Sequence, residues 1–131
     1  MTLNNQLANM LSIIRNGQRA LLSQVAVPKS SLSLPILELL YREGFISGFS
    51  LQQENNFLIY EVTLKYHQGR PAIQELDCLS KPGKQKYITV KEIKQKPKKS
   101  GLVIISSTKG VITQREAVEN NLGGCLLCKV N

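Results

Sequence analysis

The sequence predicts an α+β fold. An N-terminal α/β part, ordered helix, strand, helix and hairpin, is expected over residues 1–68, and a mainly β C-terminal part with short helices over residues 69–131. Three patterns carry that expectation. Apolar residues recur at helical spacing at the start of the chain. Near position 60 they change to alternation, and beyond position 70 short apolar runs are separated by turns rich in Pro, Gly and Lys. At 131 residues and 42% apolar content, the chain can hold one domain, or two small subdomains sharing a core, with a packed interior.

The first helix is expected from residue 3 to about 20, because Leu3, Leu7, Met10, Leu11 and Ile14 fall on one face and Ile13 widens it. Arg15 and Arg19 gather at its C-terminal end, where cations suit the helix dipole. "SQVAVP" reads as a strand ended by Pro28. Ser30 or Ser31 is expected to cap a second helix with Pro35 in its early part, Ile36, Leu37, Leu39 and Leu40 turned inward, and Gly44 as its stop. "FISGFSLQ" and "FLIYEVTLKY" read as a hairpin joined by the polar turn "QENN", with Leu58, Tyr60, Val62 and Leu64 on the apolar face. "HQGRP" breaks this pattern and marks the subdomain boundary, with His67 on the surface of a turn.

In the second half "AIQELDCL" reads as a strand, and "SKPGKQKYI" as a basic turn bent at Pro82 and Gly83. Thr89 and Glu92 have the spacing of a capping box for a helix of one or two turns. "KQKPKKSG" is a cationic loop and "LVIISS" a buried strand. Thr113 and Glu116 form a second capping box, so "QREAVEN" is expected to be a short helix ended by "LGG", with "CLLCKV" as the last strand.

Charge is the strongest global indicator of function. Seventeen Lys+Arg oppose nine Asp+Glu, a formal net charge of +8. A small domain this basic repels itself unless an anionic partner neutralises it, which points to nucleic acid. A membrane surface fits less well, because no basic amphipathic helix carries bulky aromatics and no apolar run approaches the ~20 residues of a membrane span. The first 25 residues lack the compact apolar block of a secretory signal. The charge is uneven. No acidic residue precedes Glu38, and Lys81, Lys84, Lys86, Lys91, Lys94, Lys96, Lys98 and Lys99 fall within one short stretch opposed only by Glu92.

Beside that stretch lies "ISSTKGVITQREA", residues 105–117. It places two serines, a threonine, a lysine and a glycine on a tight turn, with no nucleophile and base among them. Hydroxyls both donate and accept hydrogen bonds, so the turn suits a polar, extended, anionic ligand. The cysteines are Cys78, Cys125 and Cys128, an odd number that argues for reduced thiols. Cys125 and Cys128 form a CxxC. A zinc site usually wants four ligands, no second pair exists, and His67 is distant in sequence. A redox CxxC normally opens a helix, whereas this one lies in a terminal apolar strand. A thiol enzyme is therefore disfavoured, and a free-standing, non-specific nucleic-acid chaperone is the remaining alternative to a specific nucleic-acid-binding protein.

Several segments together resemble the ribosomal protein S8 family of the small subunit, in its bacterial and organellar form. They are "LANMLSIIRNG", "VAVPKSSL", "REGFI", "VTLKYHQG", "SKPGKQKY" and "GLVIISSTKGVITQREA" followed by "LGG", in the family's order and nearly end to end. The resemblance implies an N-terminal α/β part packed on a mainly β C-terminal part. It implies a structural, non-enzymatic role: binding the central domain of small-subunit ribosomal RNA, supporting its assembly and translation, and in bacterial members repression of the protein's own messenger. It also implies neighbouring small-subunit proteins as partners, with no cofactor, metal, membrane or small-molecule substrate. The residues expected to meet RNA are Arg15, Asn16, Ser30, Lys81, Lys84, Lys86, Tyr87, Ser106, Ser107, Thr108, Lys109 and Gly110. The chain departs from the family pattern at Asn5, Asn9, Ser31 and Cys125, so contacts attributed to those positions do not carry over. The first 37 residues, which hold no acid, also resemble a mitochondrial import sequence, which makes a mitochondrial ribosome the expected location, with a bacterial cytoplasm or plastid as the alternative.

Overall fold

The computed structural model describes residues 3–79, 86–95 and 101–131. It is α+β, as expected, and divides into two compact units, Met1–Gln74 and Glu75–Asn131.

The first unit contains helix α1 (Leu3–Arg19), strand β1 (Gln24–Pro28), helix α2 (Ser33–Arg42), and strands β2 (Ile46–Glu54) and β3 (Phe57–Leu64). These are followed by the two-residue strands β4 (Tyr66–His67) and β5 (Arg70–Pro71). The three longer strands form an antiparallel sheet in the order β1-β3-β2. Strand β3 is central, and its alternation directs Tyr60, Val62 and Leu64 into the core. Leu7, Met10, Leu11 and Ile14 form the buried stripe of α1, and Ile36, Leu37, Leu39 and Leu40 that of α2. A Cβ on Gly17 would collide with Val25, so the missing side chain lets α1 approach β1 closely.

Three details differ from the sequence reading. The N-cap of α2 is Leu32, with no side-chain cap, rather than Ser30 or Ser31. The Ser33 hydroxyl instead accepts from the Ser30 amide at 2.8 Å and donates to the Ser30 carbonyl at 2.9 Å. A serine one turn later therefore closes the loop that the earlier serines were expected to cap. The β2–β3 turn is tighter than "QENN", since Glu54 pairs with Phe57 and only Asn55 and Asn56 lie between them. Asn55 adopts a left-handed φ of 55°, which Asn tolerates better than most residues. Finally, "HQGRP" is a miniature hairpin rather than a boundary. Gln68 and Gly69, with φ of 52° and 77°, turn the chain between β4 and β5. The chain then stays with the first unit: the Ala72 amide donates to the Lys65 carbonyl, Ile73 is buried, and its amide donates to Gln18 Oε1 at 3.2 Å. The division thus falls after Gln74 instead of after residue 68. His67 is exposed, as expected.

The end of α2 follows the expected pattern. Gly44, at φ 81°, lets the Phe45 amide reach the Leu40 carbonyl and its own amide reach that of Tyr41, which satisfies two terminal carbonyls of the helix.

The second unit contains β6 (Leu76–Cys78), β7 (Tyr87–Ile88), α3 (Val90–Gln95), β8 (Leu102–Ser107), β9 (Gly110–Thr113), α4 (Gln114–Glu119) and β10 (Gly124–Val130). The sheet order is β6-β10-β8-β9, with β7 also paired to β10. One face of it is closed by Ile88, Ile105, Ile112, Ala117 and Leu126, with Ile93 and Leu122 against them. The strand expected over "AIQELDCL" is only three residues long, because its first half belongs to the other unit. The first capping box forms whole: Thr89 Oγ1 accepts from the Glu92 amide at 3.2 Å while the Thr89 amide reaches back to Glu92 Oε1. At the second, Thr113 Oγ1 accepts from the Glu116 amide at 3.2 Å, and the Thr113 hydroxyl donates to Glu116 Oε1 at 3.3 Å. The basic turn at residues 80–85 and the loop at 96–100 lie outside the described residues.

Thr113 is buried as well as capping. Thr113→Ala is expected to lower stability by about 1–2 kcal/mol, with Thr113→Ser recovering most of the loss, measured from denaturant midpoints.

Candidate nucleic-acid interface

The segment 105–117 is more than a strand, a turn and a helix. Strands β8 and β9 form a hairpin in which Ser107 pairs with Gly110 across the two-residue turn Thr108-Lys109. Residues 110–113, where the sequence reading placed no strand, form one, because Val111 and Ile112 continue the ladder against Ser106 and Ile105. Gly110 sits at φ 105°, a conformation that a side chain would strain. The Ser107 hydroxyl donates to the Gly110 carbonyl at 2.9 Å and accepts from the Lys109 amide at 3.2 Å, so it ties the turn together. Thr108 and Lys109 are exposed at the tip.

Strand alternation separates the two serines. Ser107 points to the opposite face from Ser106. Ser106 pairs with Cys125 of β10, and Cys125 pairs with Tyr87 of β7. Paired residues point to the same face, so Tyr87, Cys125, Ser106 and Val111 form one row across four strands. Tyr87 is 73% exposed at the end of that row, with exposed Lys86 beside it. The row brings Tyr87 to the hydroxyl hairpin nearly 20 residues away in sequence, and exposed Lys86 precedes Tyr87 in the chain.

The row depends on "LGG". A Cβ on Gly124 would meet the Ser106 carbonyl and, at 2.7 Å, Ile105 Cγ2, and a Cβ on Gly123 would lie 2.7 Å from the Ile88 carbonyl. The two glycines let β10 fit closely against β8 and the end of β7.

Arg15, Asn16 and Ser30 belong to the first unit. Asn16 is exposed and Arg15 half-buried near the end of α1, and Ser30 is half-buried in the β1–α2 connection. Ser30 lines an open groove of about 810 Å³ together with Lys29, Ser31, Asn55, Phe57 and Leu58. Phe57, 72% exposed at this groove, was not singled out in the sequence reading. The signal for it was present: an aromatic directly after a polar turn, on the strand face that does not reach the core. Lys81, Lys84, Lys96, Lys98 and Lys99 lie outside the described residues.

A family model described as "Ribosomal protein S8" matches residues 5–131. The chain is 40% identical to the small ribosomal subunit protein uS8 of Agrobacterium fabrum over 131 residues, covering 99% of both chains. It is 39% identical to that of Brucella ovis and 38% to that of Rhodospirillum centenum, again with 99% of each chain covered. The chain belongs to the ribosomal protein S8 family.

The S8 relatives are ribosomal proteins rather than enzymes, which removes the thiol-enzyme alternative. Cys125 and Cys128 also lack the arrangement that chemistry needs. They lie in β10 rather than at a helix start, and at the usual rise of a strand their Cα atoms are about 10 Å apart. Cys125 is half-buried in the Tyr87–Ser106 row, and the fully buried cysteine is Cys128. The relatives are bacterial, and they fit the bacterial alternative rather than the mitochondrial location. The acid-poor first helix has a structural role in the fold, since its apolar stripe fills the core of the first unit.

Gly124→Ala is expected to force β10 away from β8 at a cost of about 1–3 kcal/mol. Denaturant unfolding measures the loss, and cross-peaks between Ser106 and Cys125 in nuclear magnetic resonance spectra should weaken.

Proposed function

We propose that this chain is a structural component of the small ribosomal subunit that binds the central domain of the small-subunit ribosomal RNA, and that it does so through the β7–β10–β8–β9 surface of its second unit. The observation that carries this reading is the row Tyr87–Cys125–Ser106 leading to the Ser107–Gly110 hairpin. Membership of the family and the net charge of +8 support it. The proposed contacts are Lys86, Tyr87, Ser106, Ser107, Thr108, Lys109 and Gly110, with Lys81 and Lys84 beyond the described residues. Arg15, Asn16 and Ser30 would make separate contacts from the first unit.

Each contact suits RNA for a physical reason. Tyr87 offers an exposed ring for stacking on an unpaired base. Thr108 and Lys109 project from a turn whose backbone is already tied by Ser107, so little entropy is lost when they meet a ligand. The Ser107 hydroxyl uses one lone pair and its proton within the turn, and the second lone pair remains to accept from a 2′-hydroxyl or a base amino group. Gly110 lets the backbone come close. The bacterial relatives favour a bacterial-type ribosome as the setting, with neighbouring small-subunit proteins as partners.

Titration of a central-domain RNA fragment and a scrambled RNA of equal length at several salt concentrations tests the reading. Ser107→Ala should cost about 1–3 kcal/mol with the central-domain fragment only, leaving the salt slope unchanged. Lys109→Ala should weaken both RNAs and reduce the salt slope by about one. Equal affinity of the wild-type protein for the two RNAs would instead support a non-specific RNA chaperone.

A further inference from the structure

The cysteine that the fold sets opposite Cys128 is Cys78, not its sequence neighbour Cys125. Cys78 of β6 and Cys128 of β10 are direct antiparallel partners. The hydrogen bonds flanking them define the kind of pair. Glu75 and Asn131 exchange both backbone bonds, at 2.8 and 2.9 Å, and the Leu79 amide donates to the Leu127 carbonyl at 2.9 Å. Antiparallel partners alternate between hydrogen-bonded and non-hydrogen-bonded positions. With 75–131 and 79–127 bonded, 77–129 is bonded and 78–128 is a non-hydrogen-bonded pair. Such pairs have Cα atoms about 4.5 Å apart and their side chains on the same face, within the ~4.4–6.8 Å range that a disulfide spans.

We propose that Cys78 and Cys128 form a thiol modification site: a dithiol that a small-molecule disulfide oxidises to a cross-strand bond, fastening β6 to β10. Cys78 is half-buried at the sheet edge and Cys128 is fully buried. Burial first, and the neighbouring Cys78 second, push the Cys128 thiol up to about 12. These environments assign the order of events. The Cys78 thiolate attacks one sulfur of the reagent, forming a mixed disulfide and expelling the other half as a thiolate. Cys128 then yields its proton to solvent and attacks Cys78 Sγ, forming the protein disulfide and expelling the second half. Two protein thiols lose two electrons, and one reagent disulfide becomes two thiols.

The bond would matter because β6 has only three residues and no strand neighbour except β10 among the described residues. It would close a long loop carrying β7, the hydroxyl hairpin and most of β10, and so restrict the unfolded chain while leaving the Tyr87–Cys125–Ser106 row unbridged.

The full-length protein is incubated with excess oxidised glutathione at about pH 8.5, near the ordinary thiol pKa, then unfolded in an alkylating agent and weighed intact. Cys125→Ser should lose the mass of two hydrogens and take up no alkyl group, wild type should lose the same two hydrogens and take up one alkyl group at Cys125, and a peptide map should join Cys78 to Cys128. The melting temperature of the oxidised protein should rise by roughly 5–15 °C and return on reduction. Cys78→Ser should show no internal bond. Cys128→Ala, which keeps the site apolar, should stop at a glutathione adduct on Cys78. A wild-type protein that retains the adduct on Cys78 without closing, or whose bridge involves Cys125, would overturn the proposal.

Discussion

Strand β10 pairs along one side with β8 and along the other with β6 and β7, and the whole second unit depends on that double pairing. The pairing is possible because Gly123 and Gly124 have no side chains where neighbouring carbonyls approach most closely. A register shift between Leu126 and Cys128 moves the pairing from Leu126 with Ile105 to Cys128 with Ile104, and Leu126, Leu127 and Cys128 are all buried. The strand that closes the core on one face therefore also carries Cys125 into the outward row on the other. Packing and the candidate contact surface are two sides of one structural element.

The hydroxyl hairpin shows how a turn can be both scaffold and contact. Ser107 satisfies the Lys109 amide and the Gly110 carbonyl, Gly110 adopts the backbone conformation the turn requires, and Thr113 ends β9 by capping α4. What remains for a ligand is a small set of groups held in place by those local bonds. In the proposed role, that rigidity would let a short sequence with no catalytic chemistry recognise a particular shape. In the proposed role the cations would add attraction of a different kind, long-ranged and sensitive to salt, which draws a polyanion to the surface without selecting it.

The first unit reaches its fold by an independent route. Two helices cover one face of a three-stranded sheet, and the missing side chain of Gly17 sets how closely α1 lies on β1. The groove at Lys29, Ser30 and Phe57 forms where the β1–α2 connection meets the tip of the β2–β3 hairpin. Its members come from two turns some 25 residues apart, so it belongs to no single motif. That is why the sequence reading found Ser30 but passed over Phe57.

By itself the sequence determined what local chemistry determines: α1 and α2 from their apolar spacing, β3 from its alternation, the threonine caps of both short helices from Thr and Glu three residues apart, and the end of α2 from Gly44. It also determined the family, because that rests on the order of motifs. Tertiary structure decided what depends on pairing between distant strands. Ser30 and Ser31 could not be told from Ser33 as the residue closing the loop, because all three are small hydroxyls near the same helix start. Strand β9 was hidden because four residues at a hairpin's return are too few for a period to show. The most consequential case is the cysteines. Proximity in sequence suggested Cys125 with Cys128, but an extended strand carries residues three apart out of reach of each other. Register, set by hydrogen bonds between strands distant in sequence, brought Cys78 to Cys128, 50 positions away, and Tyr87 and Ser106, 38 and 19 positions away, to either side of Cys125.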